Sequence, residues 1–179
     1  MDQSKYLLLR GGSVCDGTGK APELQDILIE KDRIAGVGHP GAFDQLEAER
    51  IDVSGKTVAP GFIDAHSHGD TRFINYPENR TKLLQGITTE VIGNCGHGGS
   101  SVPGKAAGQE WRDLAEYADV IDGLGISTNT VVLAGHNTIR REIMGSANRK
   151  AESEDIRKMR KLLEKACEDG AAGFTTGLT

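Results

Sequence analysis

The residues best equipped for chemistry lie in the run Asp64-Ala65-His66-Ser67-His68-Gly69-Asp70. Side chains alternate faces along an extended strand, so His66 and His68 project to the same side, roughly 6–7 Å apart. Two imidazoles on one face can grip one metal ion or its bridging solvent. The competing reading is a pair of surface histidines at a strand end, in a chain with five histidines in all. The apolar stretch before the pair and the glycine after it favour the metal. They put the pair at the C-terminal tip of a buried strand, where α/β folds build their sites.

A second run, Gly93-Asn94-Cys95-Gly96-His97-Gly98-Gly99, follows the next apolar stretch directly. Its glycines let backbone come close to a ligand. A thiolate beside two imidazoles suits zinc, which accepts both Cys sulfur and His nitrogen. Cys95 can equally be an inert cysteine in a glycine-rich turn. His97 can be an extra ligand, a proton carrier or a loop residue facing water, and the last is favoured. A third run, Gly135-His136-Asn137-Thr138-Ile139-Arg140, again trails an apolar stretch. Two readings of His136 stay open: it lines a pocket, or it caps the helical turn that follows. Gly99 to Ala106 nearly matches the phosphate loop GxxxxGK[ST], but position 106 is Ala, so the hydroxyl for Mg²⁺ is missing. A nucleotide cradle is therefore discarded.

These runs need elements to carry them. Residues 1–57 read as a small all-β segment. Tyr6 to Leu9 is an apolar run ended by Gly11-Gly12; Ile27 to Ile29 and Ile34 to Val37 flank Lys31-Asp32, a hairpin turn; Ile51 and Val53 mark another strand. Residues 58–179 change rhythm. Thr57 to Ile63 is an extended stretch leading into the histidine run, and Thr88 to Ile92, Thr130 to Leu133 and Ala171 to Thr176 are further strands. Between them, Gln109 to Leu124 has Trp111, Leu114, Tyr117, Ala118 and Ile121 on one helical face. Ser153 to Asp169 is the clearest helix, with Ser153 as N-cap, Ile156, Met159, Leu162, Leu163 and Ala166 as its buried stripe, and Gly170 as its stop. Strands alternating with helices imply parallel βα units. About four such units are present, whereas an eight-fold barrel takes roughly 200–250 residues.

Composition narrows the functional classes. Of 179 residues, 21 are Lys or Arg and 26 are Asp or Glu, a formal charge of −5. No basic patch for a nucleic-acid backbone or an anionic membrane surface is expected. No run approaches the ~18 apolar residues of a membrane span. The N-terminal Leu7-Leu8-Leu9 falls short of the ~7–15-residue core of a signal peptide, so a cytoplasmic location is expected. The three cysteines, Cys15, Cys95 and Cys167, are far apart and odd in number, which reads as free thiols. Cys167, one turn beyond Leu163, is expected to pack as a small hydrophobe.

In order along nearly the whole chain, LLLRGGSVCDGTG, DILIEKDRIAGVG, VAPGFIDAHSHGD, TTEVIGNCG, AGHNTIRREIMG and GAAGFTTGL resemble the metal-dependent amidohydrolase superfamily, in its D-aminoacylase or N-acyl-D-amino-acid deacylase branch. The resemblance implies a partial (β/α)₈ barrel of about four βα units, preceded by a small β-sandwich-like segment. It implies a Zn²⁺ site of one or two ions with His66, His68 and Cys95 as metal ligands; His136, from its own place just after a strand, is the candidate substrate-pocket residue. It implies hydrolysis of the N-acyl amide bond of small-molecule N-acyl-D-amino acids. Cyclic-amide relatives of hydantoinase or dihydroorotase type carry a carbamylated lysine after an apolar residue of the fourth strand. Here Thr175 follows Phe174, which disfavours that alternative. The resemblance also implies two later histidines and an aspartate base beyond residue 179, with Asp70 a hydrogen-bonding neighbour of the metal site and no substitute for that base. The chain is thus expected to be the N-terminal part of such an enzyme, inactive alone and prone to self-association through open barrel edges. The non-enzymatic alternative is an assembly module with residual metal affinity.

Overall fold

The computed structural model describes residues 5–178. It divides into two compact units, Met1–Pro60 and Gly61–Thr179.

The first unit holds β1 (Tyr6–Val14), β2 (Glu23–Glu30), β3 (Arg33–Gly38), β4 (Glu49–Asp52) and β5 (Thr57–Val58). They form one sheet in the order β3-β2-β1-β4, with β5 also paired to β1. β2 and β3 meet across Lys31-Asp32, as the sequence suggests, and Lys31 takes the positive φ of 55° that a tight hairpin asks for. β1 does not stop at its glycines. It runs on to Val14 through a register shift between Leu9 and Gly12, with Gly11 at φ +71°. Glycine here makes a bulge and leaves the strand unbroken. The buried Asp26 carboxylate accepts the N–H of Gly11 and of Gly41, both at 2.8 Å.

The stretch from Thr57 to Ile63 is not one element. Thr57–Val58 pairs with β1, while Phe62–Asp64 belongs to the second unit's sheet. Pro60 between them has no N–H to continue a ladder.

The second unit runs β6 (Phe62–Asp64), α1 (Asp70–Asn75), α2 (Arg80–Leu83), β7 (Ile87–Ile92), β8 (Gly104–Ala106), β9 (Gln109–Trp111), α3 (Leu114–Leu124), β10 (Asn129–Gly135), α4 (His136–Met144), α5 (Ser153–Glu168) and β11 (Gly173–Thr175). Its main sheet has the order β11-β10-β7-β6, and every neighbouring pair is parallel. Each strand therefore ends at the same side, which gathers the post-strand loops together. The architecture is mixed α/β with a four-stranded parallel sheet. One apolar cluster joins Phe73 and Ile74 of α1, Ile92 of β7, Trp111 of β9, and Leu114, Tyr117 and Ile121 of α3. Another joins Val102, Ala134, Ile139 and Ala166. Among the described residues no helix is long and apolar enough to cross a membrane.

Four further sequence expectations need correction. The helix expected over Gln109 to Leu124 begins only at Leu114, because the Asp113 side chain accepts the Glu116 N–H and caps it there. The residues before it pair with β8, and Trp111 reaches the core from that hairpin, edge-on to Tyr117. The cap of α5 is Glu152, not Ser153. Glu152 and Asp155 each accept the other's backbone N–H, a capping box built from carboxylates. The α5 stripe is only partly covered: Ala166 is buried, Met159, Leu162 and Leu163 half-buried, and Ile156 55% exposed. Cys167 is exposed and not packed. It follows Ala166 by one residue, about 100° around the helix and off the covered face.

Candidate metal centre

His66 and His68 stand just past the end of β6, both exposed, with buried Ser67 between them. Their rings lie 5.5 Å apart, edge to face. Cys95 sits in the short turn Asn94–Gly96 that follows β7. Its Sγ is 3.1 Å from His66 Nε2. One ligand atom each from His66, His68 and Cys95 falls within 4.8 Å of the others. A sulfur and two nitrogens at this spacing suit a single zinc ion and leave a coordination position for a reactant.

Each arm of this group is held differently. In the histidine arm, the Asp64 carboxylate accepts the His66 N–H at 3.1 Å, and Ser67 donates its N–H to Val91 O at 2.9 Å. The Ser67 hydroxyl donates to Glu90 Oε2 at 2.7 Å. Register puts Asp64 beside Glu90 on adjacent strands. Lys82 of α2 bridges them, in a tight ion pair with Asp64 and 3.4 Å from Glu90 Oε2. Asn79 donates to the other Glu90 oxygen and to Thr128 Oγ1. The Lys82 ammonium, then the His66 N–H, hold the Asp64 carboxyl below the usual range, and Asp64 in turn pushes Lys82 up. Burial alone would raise the Glu90 carboxyl; the hydrogen bonds from Ser67 and Asn79, with the charge of Lys82, more than offset it, and the net direction is down.

Among the described residues no ion pair of this kind reaches the cysteine arm. Cys95 adopts φ +56°, the left-handed region that non-glycine residues enter only under constraint. Backbone crowds it. A Cβ on Gly93 would stand 2.0 Å from Leu133 O, and one on Gly177 would stand 2.3 Å from Cys95 O. Asn94 ties the two arms: its side-chain amide donates to Ser67 O at 3.3 Å and to Val91 O at 2.8 Å.

The other candidates lie outside the group. His136 is the first residue of α4, half-buried, its ring 6.1 Å from that of Phe174; the cap position there is Gly135. His97 is exposed. Asp70 opens α1, buried, with the Ser100 hydroxyl 3.5 Å away, and burial pushes its carboxyl up. Sequence reading passes over Glu90, Lys82 and Asn79. The available signal is Glu90 itself, a lone carboxylate in the otherwise strand-like run Ile87-Thr-Thr-Glu-Val-Ile.

Residues 49–178 match the amidohydrolase family (Amidohydro_3). D-aminoacylase of Alcaligenes xylosoxydans xylosoxydans is 35% identical over 182 residues, covering 96% of this chain and 37% of that protein. N-acyl-D-glutamate deacylase of the same organism is 35% identical over 188 residues, covering 99% of this chain and 38% of that protein. Among solved structures, N-acyl-D-glutamate deacylase from Bordetella bronchiseptica, complexed with zinc and a phosphonate inhibitor, matches with a TM-score of 0.87 at 34% identity, covering 99% of this chain and 39% of that one. A D-hydantoinase from Thermus sp., at 18% identity and a TM-score of 0.53, shares the fold. The chain spans less than two-fifths of the length of its D-aminoacylase and deacylase relatives.

Proposed function

Because this chain belongs to the amidohydrolase family, we propose that it carries a zinc-holding site of a hydrolase that cleaves the acyl amide bond of N-acyl-D-amino acids. The observation that carries the reading is the convergence of His66, His68 and Cys95 within 4.8 Å, past the ends of neighbouring parallel strands. These three residues hold the ion. Zinc bound there supplies Lewis acidity toward an amide carbonyl and acidifies a water molecule. The chain's own residues prepare that chemistry. Asp64 and Glu90, through the His66 N–H and the Ser67 hydroxyl, fix the histidine segment, and Cys95 contributes an anionic donor. His136 beside Phe174 supplies a pocket wall for the substrate. Thr175 has no amine from which to form a carbamate, which favours acyl amides over cyclic amides. The four parallel strands stand as the first half of a (β/α)₈ barrel, and the N-terminal sheet as part of a β-sandwich. Exposed Phe62, Ile63 and Phe174 on the edge strands β6 and β11 favour self-association there.

Metal analysis tests the ligand set. Zinc should accompany the purified chain and be lost from His66→Ala and Cys95→Ser; equal zinc in all three removes these residues from the site. The substrate class is read from the absorption of the Co²⁺-loaded chain. Perturbation by N-acetyl-D-glutamate and none by hydantoin supports the acyl-amide reading, and the reverse supports a cyclic amide.

A further inference from the structure

We propose that Thr175 is a positioning residue for Cys95, an inference that rests on the metal reading above. Thr175 ends β11, in register with Gly135 at the end of β10. Its hydroxyl reaches across to the turn after β7. Oγ1 donates to Gly93 O at 2.5 Å and accepts the Gly96 N–H at 3.2 Å. Those two groups lie on either side of Cys95 in the chain. One hydroxyl therefore closes the turn that presents the sulfur, as both donor and acceptor.

The turn needs such a closure. Cys95 at φ +56° sits in the left-handed region, which is strained for a non-glycine residue. The glycines on both sides, at φ +82° and +76°, have no side chains with which to hold it. Past β11, Gly177 lets the chain pass close to Cys95 O, and Asn137 of α4 pins that passage by donating to Gly177 O at 3.1 Å. Thr175 hydrogen-bonds both flanks of Cys95. Loss of its hydroxyl frees the turn to relax toward ordinary backbone angles, which swings the Sγ away from His66 Nε2. The sulfur's place beside the imidazoles thus depends on a residue 80 positions later in the chain.

The test is a Co²⁺ titration of the full chain in a Cys15→Ala, Cys167→Ala background, so that any sulfur-to-cobalt charge-transfer band belongs to Cys95. Thr175→Val keeps the shape and removes both hydrogen bonds; Thr175→Ser keeps the hydroxyl. Thr175→Val should bind Co²⁺ about 10- to 100-fold more weakly, the range for losing a residue that orients a ligand, with a diminished sulfur band. Thr175→Ser should restore both. A Val variant with parental affinity and sulfur band overturns the proposal, even if its thermal midpoint falls, since Thr175 would then only stabilise the fold. Should the Val variant fail to fold, Thr175→Ala is held to the same two outcomes. A parent that binds no Co²⁺ overturns the metal reading and this inference together. A parent that binds, beside an unchanged Thr175 variant, overturns the inference alone.

Discussion

The histidine arm and the cysteine arm bring their nitrogen and sulfur atoms within 4.8 Å of one another by opposite means. Ser67 and the His66 backbone are held by a part-buried ionic cluster, Asp64, Lys82 and Glu90, completed by Asn79. Cys95 is held by close backbone approach, a strained φ and one neutral hydroxyl. The difference teaches that a single site can answer to two sets of physical variables. One arm is sensitive to pH and salt, and the other to shape.

The largest effect should come from breaking the shape of the cysteine arm. Gly93→Ala puts a Cβ 2.0 Å from Leu133 O at φ +82°. Left-handed strain and overpacking together should cost about 2–4 kcal/mol, read as a fall in the denaturation midpoint. A change under about 0.5 kcal/mol, the size of an ordinary surface substitution, would mean that close approach does not hold this arm.

Next is the keystone of the other arm. Lys82→Met leaves Asp64 and Glu90 side by side without their cation. It should cost about 2–3 kcal/mol, since a carboxylate is left buried without its counter-ion. Its crystal structure should show the His66–Ser67 segment displaced and the Cys95 turn unmoved. Movement of both would show that the arms are not independently held.

Glu90→Gln should cost about 1–2 kcal/mol at neutral pH, by weakening charge-assisted hydrogen bonds. The folded-state carboxyl of Glu90 lies below its ordinary value. Its stabilisation is therefore complete above the unfolded-state pKa, ordinarily ~4.3, and is lost as pH falls through the lower folded value. The Gln variant should lose less stability on acidification than the parent; an equal acid limb would remove Glu90 as its source.

The smallest effect should come from salt. The Lys82–Asp64 pair is partly exposed, so added NaCl should reduce protection of the His66 amide against hydrogen exchange by about twofold. The Gly96 amide, which donates to a neutral hydroxyl, should not change. Equal salt dependence would erase the distinction between the arms.

The sequence carried the outline unevenly. The proximity of His66, His68 and Cys95 is foreshadowed by two donor runs that each follow an apolar strand; strand alternation across Ser67 does not supply it, because β6 ends at Asp64, before the pair. The hairpin at Lys31-Asp32 and the parallel strand order follow from similarly short-range signals. What supports the donors is less legible because it is long-range. Glu90 gains its meaning from Asn79, Lys82 and Thr128, and Thr175 gains its meaning from Gly93 and Gly96. The misread elements share a cause. At Trp111 an apolar residue fits a helical period while its backbone pairs in a hairpin. At Gly11 a glycine signals a stop and delivers a bulge. At Cys167 the covered face of α5 is narrower than its apolar spacing suggests.

Asn94 gives the site an order of assembly. Its side chain joins the histidine segment to β7, and all three donors fall between the end of β6 and the turn after β7. Contacts separated by so little chain close early, before pairings that span the whole unit. During synthesis the three side chains of the proposed site emerge once the turn after β7 is laid down, while β10 and β11 are still to come. Thr175, the proposed support of Cys95, arrives afterward, so gathering the side chains and fixing the position of the sulfur become separate events in the life of the chain.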